Sequence, residues 1–248
     1  MEDFLLIINA DDWGGWRSAT DAALRCAQEH RISSATAMVF MEDSERAASA
    51  AREHNVSTGL HLNFNQLFTA PEVPGKVREA QTRTTAYLRR HKWSQLLYNP
   101  VLYRDFEFLC QAQLEEFARL YGRAPTHCDG HQHMHLCSNM LLQKPLAKGT
   151  KVRTTFSFTP GEKSLFNRLY RKLIVFSLRR KYTIADFFFS LRHCLRDSAR
   201  LERVARLAQS CTVELMCHPE VTEEQEFLLS PKWRELFGKT ALGTYANL

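Results

Sequence analysis

The feature that most constrains this chain is a repeated one: short apolar runs that each stop at a group of polar side chains able to do chemistry. Phe4-Leu5-Leu6-Ile7-Ile8 runs into Asn9-Ala10-Asp11-Asp12, Gly59-Leu60 into His61-Leu62-Asn63, and Glu214-Leu215-Met216-Cys217 into His218-Pro219. A fourth segment, Thr126-His127-Cys128-Asp129-Gly130-His131-Gln132-His133-Met134-His135, packs four histidines and a carboxylate together. Longer stretches with helical spacing separate the runs, which is the alternation expected of βα units around a mostly parallel sheet. The pattern predicts strands at 4–9, 35–40, 57–62, 125–129, 151–156 and 212–217, with less regular ones near 183–189 and 241–245. Helices are predicted over 18–30, 44–54, 105–121, 164–180 and 198–209, several opening on a Ser or Asp cap.

With 248 residues, 44% of them hydrophobic, the chain can bury one sizeable core, and its length suits a single-domain α/β barrel. One domain over 1–248 is expected, with an irregular insertion at about 70–104, where Pro71, Pro74, Gly75 and Asn99-Pro100 break the periodicity. Such a segment is either a lid or a solvated link. The apolar run at 4–8 is too short for a secretory signal or a membrane span, and no basic leader precedes it, so a cytoplasmic location is expected. Seven cysteines without a C-x-x-C pair fit reduced thiols. The net charge of +6 is compatible with an anionic partner, but charge speaks to association and not to fold. Neither a phosphate-cradling glycine loop nor a nucleophilic serine elbow is found.

Histidines titrate near neutral pH, so a dense cluster repels itself on protonation unless a cation or hydrogen bonds hold the rings neutral. Segment 126–135 therefore points to a metal. Alternation puts His127, Asp129 and His131 on one face if the strand continues. Asp11 and Asp12 emerge where a buried strand stops, with side chains expected in different directions. If Asp12 binds a metal, Asp11 can serve as general base for water beside it, although Trp13-Gly14-Gly15 supplies a turn that one of the pair could cap. His61 reads either as a ligand or as a hydrogen-bonded core residue. Glu214, Met216 and His218 share a strand face, Pro219 ends the ladder, and His218 is a candidate general acid. Polar groups gathered at the carboxyl ends of parallel strands are where barrel enzymes keep their sites.

Together these segments resemble the YdjC-like family of carbohydrate deacetylases, also called the ChbG/HpnK family. The family pattern of N-A-D-D-aromatic-G, a G-x-H strand, T-H-x-D-x-H-x-H-x-H and E-x-M-x-H-P is matched in that order at 9–14, 59–61, 126–135 and 214–219, and 32–37 looks like the family's second strand. The resemblance implies a distorted TIM-like (β/α) barrel. It also implies a metal-dependent hydrolase that removes an N-acetyl group from an amino sugar in an oligosaccharide or glycolipid. By position it implies Asp12, His61 and His131 as metal ligands, Asp11 as base and His218 as acid. His127, Asp129, His133, His135, Arg153 and Glu214 are then expected to orient the ligands or face the substrate. One carboxylate and two imidazoles suit a single divalent ion, zinc ahead of magnesium.

Three departures from the family pattern are visible. Trp13 replaces phenylalanine, Phe40 stands where many relatives have asparagine, and the stretch from His135 to Arg153 is short. Competing expectations are another metal-dependent hydrolase on the same barrel, such as a phosphoesterase, and a non-catalytic glycan-binding protein. Binding alone, however, needs neither a base nor an acid.

Segment 165–181 is amphipathic, with Arg168, Arg171, Lys172, Arg179, Arg180 and Lys181 toward one side. It is expected to pack its apolar side against the barrel. Peripheral contact with an anionic membrane surface or a lipid-linked glycan is the alternative. No nucleic-acid partner is expected, and self-association as a homodimer is left open.

Overall fold

A computed structural model of the chain describes residues 4–158 and 161–248. In chain order it contains β1 (Leu6–Trp13), α1 (Arg17–Gln28), β2 (Ser34–Ala37), α2 (Ser44–Glu53), β3 (Thr58–Leu62), α3 (Gly75–Arg90), α4 (Tyr103–Tyr121), β4 (Cys128–Gly130) and α5 (Ser138–Gln143). These are followed by α6 (Leu165–Arg179), β5 (Phe187–Ser190), α7 (Leu191–Leu195), α8 (Ser198–Leu207), β6 (Val213–Cys217), α9 (Thr222–Leu229) and α10 (Pro231–Phe237). The strands pair in parallel in the order β4-β3-β2-β1-β6-β5, a curled α/β half-barrel with β1 near its middle.

All eight residues of β1 are buried. That explains why the sequence there reads as a continuous apolar run, since a strand covered on both faces has no solvent side to mark with polar residues. Small residues let the first two helices lie close to the sheet: Ala19, Ala23 and Cys26 turn inward from α1, and Ala47, Ala48 and Ala51 from α2. The longer α4 buries Phe106, Leu109, Cys110 and Phe117, and stops at Gly122, whose φ of 67° suits a left-handed C-terminal cap.

The segment predicted as a strand at 151–156 is not one. Lys151 and Val152 make only single bridges, to Thr183 and Cys128, and the Ser157 amide donates to the Phe188 carbonyl at 2.8 Å. This irregular stave spans the gap between the two edge strands, β4 and β5, and extends the curl. The strand expected at 183–189 shortens to β5 for the same reason. The stretch 241–245 contributes one bridge, Leu242 to Leu6, that covers the start of β1.

The insertion expected to be irregular contains the sixteen-residue helix α3, packed against α4. Its inward face includes Gln81, Thr84 and Thr85 among Val77, Ala80 and Leu88, so the apolar period is diluted by polar residues. Their polar atoms are used: Gln81 Nε2 donates to the Gln66 carbonyl at 2.5 Å, and Thr84 Oγ1 to Ala80 O at 3.1 Å. The expected packing of 165–181 also fails in part. Helix α6 buries Ile174 and Leu178, whereas Leu165, Phe166, Leu169, Leu173 and Phe176 are 56–80% exposed.

Phe40 adopts φ 59°, a left-handed conformation that is unusual for a bulky residue and natural for asparagine. Its carbonyl accepts from Thr69 N and Ala70 N, and its buried ring meets Phe68 at a centroid distance of 5.1 Å. The departure from the family pattern thus points into the core.

Candidate active site

The carboxyl end of β1 sets the geometry. Between Ala10 and Trp13 the pairing with β2 slips by one residue, a bulge that contains both aspartates, and Asp12 takes φ 62°. A bulge re-aims side chains. Here it overturns the expected alternation: the carboxylates of Asp11 and Asp12 both lie beside His61, and Trp13 turns away to donate its Nε1 to Ala47 O at 3.1 Å.

Asp12 Oδ1 lies 2.9 Å from His131 Nδ1 and 3.3 Å from His61 Nε2. On its other side, His61 Nδ1 contacts Asp129 Oδ1 at 2.7 Å. When Nδ1–H donates to Asp129, the Nε2 lone pair faces the Asp12 carboxylate. Two electron-rich atoms so close require a proton or a cation between them. Burial works against an extra proton on His61, but Asp129 and Asp11 outweigh it and hold the ring's pKa well above its ordinary value. Burial would likewise raise the Asp12 carboxyl, yet hydrogen bonds from His131 and His61 keep it well below the usual carboxylate range.

His131 does not continue the strand. β4 ends at Gly130, and the left-handed conformations of Gln132 and His133 (φ 50° and 60°) fold the chain back over the site. Gly130 permits this close return, since a Cβ there would sit 2.7 Å from the His135 backbone nitrogen. His218 follows β6, with its Nε2 3.8 Å from Asp12 Oδ2, and its amide is held by Glu224 Oε2 at 2.8 Å. It is the more exposed member of the group, with 29% of its side chain open.

A second cluster lies immediately beneath. Arg153, fully buried, donates to Asp11 through Nη1 and Nη2 at 2.7 and 2.6 Å, and through Nε to Glu214 Oε1 at 2.7 Å. Its Nη1 is also 2.7 Å from Asp129 Oδ2. Burial would raise the Asp11 carboxyl, but the Arg153 guanidinium keeps it below its ordinary value. Burial pushes Glu214 up to about 7 against the pull of Arg153, and the Tyr245 hydroxyl donates to its second oxygen. The remaining histidines of segment 126–135 are neutral rings, His127 and His135 buried and His133 half-buried. Burial pushes His127 down to about 3, His133 to about 3 and His135 to about 4. His127 stacks on Tyr245 at 3.9 Å, against Gly59, where a Cβ would come within 2.4 Å of the imidazole. His133 meets Phe156 edge-on at 4.6 Å, and His135 Nε2 contacts Arg153 O at 3.2 Å.

The structure therefore brings Asp11, Asp12, His61, His131 and His218 to one end of the sheet, with Asp129, Arg153, Glu214 and His127 in the layer below. Sequence reading missed Thr36, whose hydroxyl lies 3.3 Å from Asp11 Oδ1 and 3.1 Å from Asp129 Oδ2. It also missed Asn9, which donates to Asp11 Oδ1 and Thr36 Oγ1 at 3.0 Å each. Asn9 opens the N-A-D-D motif, a signal in plain view. Thr36, Tyr245 and Glu224 carried none.

The donor set fits a divalent ion. Ligand atoms bonded to one metal at about 2.1 Å stand roughly 3.0–3.4 Å apart in octahedral or tetrahedral arrangements, and the Asp12 oxygen lies 2.9 and 3.3 Å from its two imidazole nitrogens. The Asp129–His61 contact is the outer carboxylate that orients a ligating imidazole in many metal sites. The other acid-rich groupings, Asp11–His61–Asp129 and His127–Asp129–Glu214, surround Arg153, which already occupies them as the counter-cation.

The chain is 26% identical to a chitooligosaccharide deacetylase of Serratia marcescens over 221 residues, covering 87% of this chain and 81% of that protein. It is 30% identical to a chitooligosaccharide deacetylase of Enterobacter sp. (strain 638) over 135 residues, 54% of this chain and 51% of that protein. The match thus spans about half the length of that relative and of several others. In fold it is similar to a crystal structure of a candidate cellobiose-phosphate cleavage protein from Enterococcus faecalis V583, with a TM-score of 0.65 at 19% identity over 97% of each chain. The profile of the family described as YdjC-like protein matches residues 5–239, and the chain belongs to that family.

Proposed function

We propose that the protein is a metal-dependent hydrolase that removes an N-acetyl group from an amino sugar carried in an oligosaccharide or glycolipid. The observation that carries this reading is the meeting of Asp12 Oδ1 with His61 Nε2 and His131 Nδ1, with Asp11 and His218 close by. Asp12, His61 and His131 would hold the ion, zinc ahead of magnesium given two imidazole donors. Bound there, the ion supplies Lewis acidity, lowering the pKa of water and polarising the acetamido carbonyl.

The chain's own groups divide the proton work. Asp11, ionised because Arg153 clamps both its oxygens, accepts the proton of the attacking water. The same clamp weakens it as a base, which suits water already acidified. His218 donates a proton to the amine nitrogen as the C–N bond breaks, leaving acetate and a free amino sugar. Asp129 fixes the His61 ring, and Arg153 holds Asp11 and Asp129 in register. A cavity of about 820 Å³, lined by Gln132, His133, Phe156, Tyr170 and Trp93 among others, lies on the side of the site marked by His133 and offers ring faces for sugar units.

The test is metal analysis of the purified protein with an acetate-release screen on N-acetylated chito-oligosaccharides and glycolipids, repeated on Asp11→Asn and His218→Ala. Each variant is expected to keep the ion and lose rate by roughly a hundredfold or more. Protein that binds no divalent ion and releases no acetate would remove the proposal.

A further inference from the structure

Helix α6 leaves a long apolar stripe without a partner. Leu165, Phe166, Leu169, Leu173 and Phe176 recur at helical spacing on one side and are 79, 80, 56, 60 and 60% exposed. The opposite side is seated through Ile174 and Leu178. Alongside the stripe run Arg168, Lys172, Arg179 and Arg180, and positions 164–181 contain no Asp or Glu. Arg179 reaches Asp186 at 3.3 Å, whereas Arg168 and Lys172 form no ion pair among the described residues.

An apolar face bordered by cations, with Arg168 and Lys172 free of ion pairs among the described residues, matches a surface that is oily at depth and anionic at its rim. We propose that α6 docks the protein on anionic lipid bilayers, lying in the plane of the headgroups with its leucines and phenylalanines in the upper acyl region. The cations then reach lipid phosphates, where each contributes through the surface potential of the leaflet.

Two other occupants fit less well. A second copy related by a two-fold axis would bring two acid-free cationic rims together. The stripe is also only about 17 Å long at 1.5 Å per residue, far too small alone for the roughly 800 Å² per partner of a stable interface. A nucleic acid would use the cations and leave the phenylalanines and leucines in water. No helix among the described residues is long and apolar enough to cross a membrane, so contact through α6 would be peripheral. Phe166 also lines the cavity beside His133, so docking would set that cavity's mouth at headgroup level. Docking through α6 would not depend on the reaction proposed above and needs no substrate.

The experiment is flotation of the full chain with vesicles of pure phosphatidylcholine and of equal parts phosphatidylcholine and phosphatidylglycerol, at low and at physiological salt. The protein is expected to float with the anionic vesicles alone, and less well as salt rises. The triple variant Leu169→Ser, Leu173→Ser, Phe176→Ser, checked for native helicity by circular dichroism, is expected to bind at least about tenfold more weakly. Arg168→Gln with Lys172→Gln is expected to lose about fivefold per charge. Absence of flotation with anionic vesicles at low salt overturns the proposal. So does binding that ignores the triple substitution, which would mark a purely electrostatic surface. A concentration-dependent dimer that the triple variant dissociates, without vesicle binding by either protein, overturns it in favour of a second copy.

Discussion

Two acid-rich clusters share the carboxyl end of the sheet, and they differ in where their positive charge comes from. The lower one, Asp129 and Glu214 with Asp11 shared at its upper edge, closes around the Arg153 guanidinium, which donates to Asp11 and Glu214 and stands 2.7 Å from Asp129 Oδ2. The upper one, Asp12 with His61 and His131, contains no arginine or lysine. A cluster completed by the chain's own cation is part of the fold. One in which two imidazoles converge on a carboxylate with no arginine or lysine is where, on the function proposed above, a cation from solution would sit. The contrast predicts that the two respond oppositely to substitution: damage below is paid in stability, damage above in ion affinity.

The largest expected effect is therefore Arg153→Met. Removing the guanidinium strands three buried carboxylates, and breaking a buried ion pair from one side typically costs about 3–5 kcal/mol. Urea denaturation should show at least that loss, with Arg153→Lys intermediate because an ammonium cannot serve three carboxylates through a planar fork. A methionine variant as stable as the parent would mean that the lower cluster is not held by its arginine.

Asp12→Asn probes the other side of the contrast. The amide keeps the shape but removes a charged ligand, so zinc affinity by calorimetry should fall on the order of a hundredfold or more, beyond the loss usual for an outer partner. In chelator, its loss of unfolding free energy by urea denaturation should be smaller than that of Arg153→Met, since the amide oxygen can still accept from His131 and no guanidinium is left unpaired. A large loss of stability in the metal-free state would erase the distinction between the clusters.

Much of this division could be read from the chain, for a physical reason. Strands β1, β3 and β6 announce themselves because strands buried on both faces must be apolar throughout, and chemistry at their ends is visible as Asp11-Asp12, His61 and His218. What could not be read depends on register and distance. The bulge at Asp11 and Asp12 changes which way a side chain points without changing composition. Thr36 reaches Asp129 across 93 positions, and a lone threonine gives no hint of that. Helix α3 was hidden because Pro71, Pro74 and Gly75 read as breakers when the prolines precede it and the glycine opens it, and because threonines and a glutamine occupy part of its buried face. The sequence period of α6 was legible, but an amphipathic pattern does not say which side meets the barrel.

Acid sharpens the comparison further, because His127 belongs to the lower layer yet is not charged by it. Burial outweighs the pull of Asp129 and holds its pKa at about 3, below the ordinary 6.5. The fold thus favours the neutral ring. This contribution is fully present above about pH 6.5 and is lost as pH falls toward 3, because the unfolded chain takes up the proton first. His127→Phe keeps the ring stacked on Tyr245 and has nothing to protonate. Its stability should therefore fall less steeply than the parent's between pH 6.5 and 5, by about 1 kcal/mol at one pH unit below the ordinary value. Equal slopes in thermal melts across that range would show that the carboxylates around His127 charge it after all.

Thr36→Val is the finest cut through the lower cluster. The hydroxyl has one hydrogen and stands between two carboxylate oxygens, so it can donate to Asp11 or to Asp129 but not to both, while accepting from Asn9. Valine preserves shape and removes that choice. Because Arg153 still faces both carboxylates, the cost should stay within about 1.5–3 kcal/mol, the net value of one buried hydrogen bond with a charged acceptor. Zinc affinity should hardly change, since no Asp12, His61 or His131 atom bonds to Thr36. If the valine variant instead lost ion affinity as severely as Asp12→Asn, the two clusters would be one electrostatic unit, with the bond from Asp129 to His61 carrying the disturbance upward.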